Sequence, residues 1–118
     1  MKTIGIIGTR TRNSQTDFKL VRGALAGVYE NGDEIVSGGC PQGGDRFAEV
    51  LAKTIQIPIK IYYAQWELFG KSAGFRRNDL IARDADVLIA CVSEDRKGGT
   101  EHTINQYLKL GKIELIII

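Results

Sequence analysis

Short β-branched runs alternate with amphipathic segments along the whole chain. The β-branched runs are typical of strands and cover residues 3–8, 34–37, 58–63, 87–92 and 114–118. Between them, apolar residues recur every three or four positions, which predicts helices over residues 17–30, 45–55, 75–83 and 99–110. Residues 64–73 show no such period and are predicted to form a loop. The predicted element order is therefore β-α-β-α-β-α-β-α-β.

The same pattern predicts the layers of the fold. Near-continuous apolar strands that alternate with amphipathic helices are typical of a parallel sheet covered on both faces. Right-handed crossovers then give a doubly wound, Rossmann-like three-layer α/β sandwich, with a five-stranded parallel sheet in the order 3-2-1-4-5. We expect Ser14 or Thr16 to cap the first helix and Gly32 to end it. Helical spacing also predicts that Ile55 and Leu108 point into the core.

Length and composition limit the class of protein. A chain of 118 residues fits one domain, residues 1–118. With 43% hydrophobic and 25% charged residues, the chain is neither disordered nor a coiled coil. Its longest apolar run is far shorter than the ~20 residues of a membrane span, and no signal peptide is evident, so we expect a cytoplasmic protein without a membrane partner. One histidine and two distant cysteines form no ligand cluster, so we expect neither a metal nor a cofactor.

Glycines and arginines concentrate in the loops that follow the predicted strands. In parallel sheets these loops meet at the carboxyl edge, where ligands bind. Glycine lets backbone N–H groups approach a phosphate, helix N-termini attract it, and arginine pairs with it. Carboxylates share the edge, which favours a pocket for a compact phosphorylated molecule over a groove for a polyanion. The candidate ligand-binding residues are Gly8, Thr9, Arg10, Ser37, Gly38, Gly39, Gly43, Asp45, Arg46, Arg76, Asn78, Gly98, Gly99 and Thr100.

Other features of the chain leave alternatives open. Gly70-Lys71-Ser72 matches the end of a P-loop, but the position of that motif's first glycine is Gln65, so we do not assign one. Trp66 is equally consistent with stacking on a base and with covering the sheet edge. An apolar last strand at a sheet edge predicts a homo-oligomer, because an open edge invites pairing.

Four motifs stand in order along the chain: Gly8-Thr9-Arg10, Ser37-Gly38-Gly39 with Gly43-Gly44-Asp45-Arg46-Phe47-Ala48-Glu49, Ala73-Gly74-Phe75-Arg76-Arg77-Asn78, and Gly98-Gly99-Thr100. Together they resemble the SLOG superfamily, the Rossmann-like group that includes the LOG phosphoribohydrolases and the DNA-processing protein DprA. The chain is most similar to its small stand-alone YspA-type branch. The resemblance implies a nucleotide-binding pocket in which residues 98–100 hold a phosphate at a helix start and residues 37–39 line the other side.

Three functions follow from these observations. The first is a module that senses or sequesters a nucleotide or nucleotide-derived small molecule. The second is a phosphoribohydrolase-like enzyme that cleaves the N-glycosidic bond of a nucleoside monophosphate. In the LOG enzymes that the chain resembles, the glycine-rich motif continues with glutamate at the positions of His102 and Thr103. Because the reaction needs a carboxylate, the candidate catalytic residues in this chain are Asp45 and Glu101. The third is a DprA-like nucleic-acid binder, to which a net charge of only +2 gives little support.

Overall fold

All five predicted strands are present in the computed structural model, which describes all 118 residues. They form one parallel sheet in the order β3-β2-β1-β4-β5. The predicted strand order and the Rossmann-like α/β fold are therefore confirmed. The strands are β1 (Thr3–Gly8), β2 (Glu34–Gly38), β3 (Ile59–Tyr62), β4 (Val87–Cys91) and β5 (Leu115–Ile117).

The helices cover both faces of this sheet, and none of them is both long enough and apolar enough to cross a membrane. A 3-10 turn over Gly70–Ser72 joins the third helix to the fourth. The helices are α1 (Gln15–Val28), α2 (Gly44–Ile55), α3 (Trp66–Phe69), α4 (Ala73–Asp84) and α5 (Gly99–Lys109).

Two buried clusters lie on opposite faces of the sheet. Successive side chains of a strand point to opposite faces, so Ile6 and Ile7 of β1 belong to different clusters. Ile6 packs with residues of α1 and α2 such as Val21 and Phe47, whereas Ile7 packs with residues of α4 and α5 such as Ile81. β1 and β4 pair at the centre, and the chain changes direction across the sheet between them.

The first helix differs from its predicted bounds at both ends. Ser14 is its N-cap, and its side chain forms a capping box with Asp17, so α1 begins at Gln15. The helix ends at Val28, where Tyr29 adopts an extended conformation. Gly32 has a positive φ of 95° but lies beyond the end of the helix, so the prediction that it ends α1 is wrong.

The segment predicted as a loop, residues 64–73, contains helix α3 and the 3-10 turn. None of the residues in these two short elements is buried, so they leave no apolar period in the sequence. Two of the predicted core positions are also wrong. Ile55 is 50% exposed because it is the last residue of α2, and Leu108 is 47% exposed because it lies one position beyond the buried face of α5.

Candidate functional site

A cleft of about 290 Å³ opens at the carboxyl ends of β1 and β4, where the strand order reverses. Open parallel sheets bind their ligands at this position. The loop after β1, the start of α2, the inner face of α4 and the start of α5 form its walls. Its lining residues are Ile7, Gly8, Thr9, Arg10, Cys40, Asp45, Arg77, Asn78, Ile81, Lys97, Gly98, Gly99, Thr100 and Thr103.

The start of α5 contributes free backbone donors to the cleft. Its N-cap is Gly98, which has a φ of 101° and no side chain to cap the helix. The first amide of the helix that is bonded belongs to His102 and donates to the carbonyl of Gly98 at 3.2 Å. The preceding amides of Gly99, Thr100 and Glu101 have no partner within the protein. Such a helix end carries partial positive charge and is suited to bind an anion.

Asn78 is the buried polar residue that joins α4 to the start of α5. Its Oδ1 accepts a hydrogen bond of 2.9 Å from Arg77 Nε, and its Nδ2 donates one of 3.2 Å to the carbonyl of Gly99. The Arg77 guanidinium is thereby oriented toward the cleft without a carboxylate within salt-bridge distance. One amide side chain therefore positions both the cation and the helix end.

Gly38 provides the space in which Arg77 and Asp45 approach each other. A Cβ atom on Gly38 would lie 2.7 Å from Arg77 Nη1 and 2.6 Å from Asp45 Oδ2. Both distances are shorter than a carbon atom tolerates, so a side chain at this position would displace one of the two charged groups. Gly38 thus shapes the cleft from behind, although it does not line it.

Asp45 is the only carboxylate among the residues that line the cleft. It is buried in the first turn of α2, where its Oδ2 accepts a hydrogen bond of 3.2 Å from the Cys40 amide. Burial raises the pKa of Asp45 above its ordinary value, against the lowering effects of the Cys40 amide and the Arg77 charge.

The hydrogen bonds of Ser37 agree with a protonated Asp45. The Ser37 hydroxyl has one hydrogen but two neighbouring acceptors, the carbonyl of Ile6 and, at 3.2 Å, Asp45 Oδ1. If Ser37 donates to Ile6, a protonated Asp45 can donate to Ser37, and every group is satisfied. The geometry is thus compatible with a protonated carboxyl, in agreement with a pKa raised by burial.

Replacing Asp45 with asparagine is expected to remove a destabilising effect of rising pH. In the unfolded chain this carboxyl has a pKa near 3.8, and burial raises its pKa in the folded protein. The free energy of unfolding of the wild type therefore falls as the pH rises from the unfolded pKa to the folded pKa. Unfolding by urea at about pH 4 and about pH 7 measures the effect. The wild type should lose stability relative to Asp45→Asn between these values, and parallel pH profiles would contradict the expectation.

Most of the predicted ligand-binding residues meet in or directly behind this cleft. Ser37 and Gly38 lie behind it, where Ser37 contacts Asp45 and Gly38 leaves the space in which Asp45 and Arg77 approach each other. The predicted residues that line it are Gly8, Thr9, Arg10, Asp45, Asn78, Gly98, Gly99 and Thr100.

Four of the predicted ligand-binding residues lie elsewhere. Gly39 lies under the ring of Tyr63, outside the cleft. Gly43 is the N-cap of α2, with a φ of 74°, and packs against the backbone of the loop after β1. Arg46 is exposed and lines a separate hollow beside α1. Arg76 is exposed, with its guanidinium 4.2 Å above the Phe69 ring.

The arginine of α4 that lines the cleft is Arg77, not the predicted Arg76. Successive helical residues point about 100° apart, which places Arg77 beside the inner face of α4 and Arg76 on its exposed side. Asn78 and Ile81 lie on the inner face of α4, and Arg77 borders that face. The buried pattern of the complete helix carries this signal, but the predicted start at residue 75 left out its first turn.

Glu101, the second candidate for catalysis, does not line the cleft. Its two carboxylate oxygens accept hydrogen bonds from Arg96 Nε and Nη2 at 2.7 and 2.9 Å. This bidentate pair holds the loop before α5 and occupies the carboxylate. Lys97, which lines the cleft and was not among the predicted residues, adds a third cation to Arg10 and Arg77, and none of the three forms a salt bridge.

No group of three or more His, Cys, Asp or Glu side chains is arranged to hold a metal ion.

A comparison of the chain with protein-family models, curated proteins and solved structures finds no match. The chemistry of the site therefore rests on the geometry and charge of the cleft.

Proposed function

We propose that this protein binds a nucleotide-like phosphorylated small molecule, with a phosphate at the start of α5. The observation that carries the proposal is that unpaired backbone amides of α5 and the unpaired guanidinium of Arg77 border the same cleft. Backbone donors at a helix end and an oriented arginine together match the geometry of a phosphate group. The volume of about 290 Å³ suits a compact ligand.

The charge of the cleft supports the same proposal. Arg10, Arg77 and Lys97 line it without ion pairs, whereas Asp45 is its one lining carboxyl and has a pKa raised by burial. A ligand phosphate therefore meets positive charge. The whole chain has a net charge of only +2, so the positive potential is local. These features favour sensing or sequestering of a small anion over binding of a long nucleic acid.

Asp45 favours a second candidate function, the hydrolysis of an N-glycosidic bond. A buried carboxyl with a raised pKa can donate a proton to a departing base. The reaction also needs a group that activates water and stabilises positive charge on the ribose. Glu101, the other candidate, is held by Arg96 outside the cleft. Binding is therefore the primary proposal.

A thermal-shift screen tests the proposed function. Nucleoside monophosphates, cyclic nucleotides, ribosylated nucleotides and inorganic phosphate are added to the wild type and to Gly99→Val. Gly99 has no left-handed φ, so valine is compatible with its backbone while adding bulk beside the free amides. A ligand at a hundredfold its Kd should raise the Tm of the wild type by about 10 °C and leave that of the variant unchanged. Equal shifts in both proteins would contradict a phosphate at this helix end.

Incubation of the best ligand with the protein distinguishes binding from hydrolysis. Chromatography detects free base if the N-glycosidic bond is cleaved, and Asp45→Asn is the matched variant. Binding without release of base supports the primary proposal. Release that is lost in Asp45→Asn would establish the hydrolase instead.

A further inference from the structure

A second cavity, of about 400 Å³, adjoins the cleft and has a different chemical character. Three residues, Arg10, Cys40 and Arg77, line both spaces. The two spaces are therefore direct neighbours. The remaining lining residues are Gly39, Pro41, Tyr63, Ala64 and Trp66.

Two exposed aromatic rings border this second cavity. Tyr63 is 63% exposed and Trp66 is 59% exposed. The Cδ1–Cε1 edge of the Tyr63 ring lies against Gly39, where a Cβ atom would come within 2.2 Å of both ring carbons. The Trp66 ring approaches Gly74 of α4, where a Cβ atom would lie 3.3 Å from its Cη2. Neither the Tyr63 hydroxyl nor Trp66 Nε1 makes a hydrogen bond within the protein, and neither ring belongs to a buried cluster.

The wall of the cavity also offers hydrogen-bonding groups. The carbonyl oxygens of Gly39, Cys40 and Pro41 accept no hydrogen bond within the protein. Arg10 carries donors that are without a salt-bridge partner. Exposed flat rings next to free acceptors and donors match the chemistry of a heterocyclic base, which combines a π face with a polar edge.

We propose that this second cavity is a base subsite, in which Tyr63 and Trp66 stack on the base of a nucleotide whose phosphate lies at the start of α5. The inference rests on the proposed function and adds its selectivity: the ligand carries an aromatic base, and a sugar phosphate alone leaves the subsite empty. It also assigns Trp66 to stacking, one of its two predicted roles.

Fluorescence of Trp66, the only tryptophan in the chain, tests the base subsite directly. The wild type is titrated with a purine nucleoside monophosphate, with ribose 5-phosphate and with the purine nucleoside, and calorimetry measures each Kd. The nucleotide should quench the fluorescence and bind about tenfold or more tightly than ribose 5-phosphate, because stacking on aromatic side chains strengthens binding by roughly that factor. Ribose 5-phosphate should bind without quenching.

Variants of the cavity separate stacking from phosphate binding. Trp66→Ala and Tyr63→Ala should each weaken nucleotide binding about tenfold and leave ribose 5-phosphate binding within twofold of the wild type. Trp66→Phe should restore most of the affinity. Leu68→Ala is the matched control, since Leu68 is 69% exposed on the same short helix and does not line the cavity.

Each outcome decides one of the two proposals. Equal affinity for nucleotide and ribose 5-phosphate, without quenching, overturns the base subsite and leaves the phosphate site intact. Binding of the nucleoside with quenching, but not of either phosphate compound, overturns the phosphate site and supports the base subsite. A third outcome is that a single-stranded oligonucleotide displaces the nucleotide at a concentration below that of the nucleotide itself. This result assigns the subsite to a base within a strand and overturns its assignment to a free small molecule.

Discussion

Alanine in place of Gly44 is expected to lower the free energy of unfolding by about 3 kcal/mol, the upper end of the usual cost of overpacking. Gly44 is the first residue of α2 and packs against the central strand β1. A Cβ atom at this position would lie 2.3 Å from the carbonyl carbon of Ile7 and 2.4 Å from the nitrogen of Gly8. Both are backbone atoms of a strand paired on both sides, so they cannot move aside without breaking the sheet.

Gly23→Ala in α1 is the matched control. A Cβ atom on Gly23 would meet no atom within 4 Å, so this substitution should stabilise the protein by about 0.5–1 kcal/mol through higher helix propensity. Urea unfolding followed by circular dichroism measures both variants. Opposite signs are the expected result. A Gly44→Ala protein as stable as the wild type would mean that α2 starts farther from β1 than described.

Arg77→Ala is expected to weaken binding of a nucleoside monophosphate by ten- to a hundredfold, whereas Arg76→Ala should leave it within twofold of the wild type. A charge-assisted hydrogen bond to a phosphate contributes about 1.5–3 kcal/mol, which corresponds to that loss. Arg77 lines the cleft, while Arg76 stacks on Phe69 outside it. The two neighbouring arginines thus form an internal pair of test and control, and calorimetry measures the Kd.

Two further observations make this comparison decisive. Urea unfolding of both variants shows whether the loss of affinity comes from the fold. Arg77→Lys keeps the charge but loses the forked donors, including the Nε–H that bonds to Asn78, so it should restore only part of the affinity. If Arg76→Ala weakens binding more than Arg77→Ala does, the phosphate does not lie in this cleft.

The sheet was predictable because its physical signal is long-range and redundant. All of β4 is buried, so it appears in the sequence as an uninterrupted apolar run. Parallel strands separated by helices then leave few possible topologies. The same topology brought loops that are far apart in sequence to one edge, which is why Gly8 and Gly99 could be placed together before the structure was known.

Details that depend on a single residue position were not predictable in this way. The choice between Arg76 and Arg77 depends on the phase of α4, whose first turn lies outside the predicted helix. Helix α3 has only four residues and buries none, so neither period nor burial marks it. Glu101 was a candidate for catalysis because of its sequence position alone, whereas its pairing with Arg96 depends on the geometry of a loop. The resemblance to the SLOG superfamily and the homo-oligomer stay predictions.

The way in which Arg77 is held has a consequence for the energetics of recognition. Most rigid arginines are oriented by a carboxylate, which neutralises them. Here a neutral amide, Asn78, orients the guanidinium, and the nearest carboxyl, Asp45, has a pKa raised by burial. The cation is therefore preorganised without a salt bridge. Binding of a ligand then costs little ordering entropy of the Arg77 side chain and breaks no ion pair within the protein. We therefore expect the ligand to bind to a preformed site, without closure of the surrounding loops.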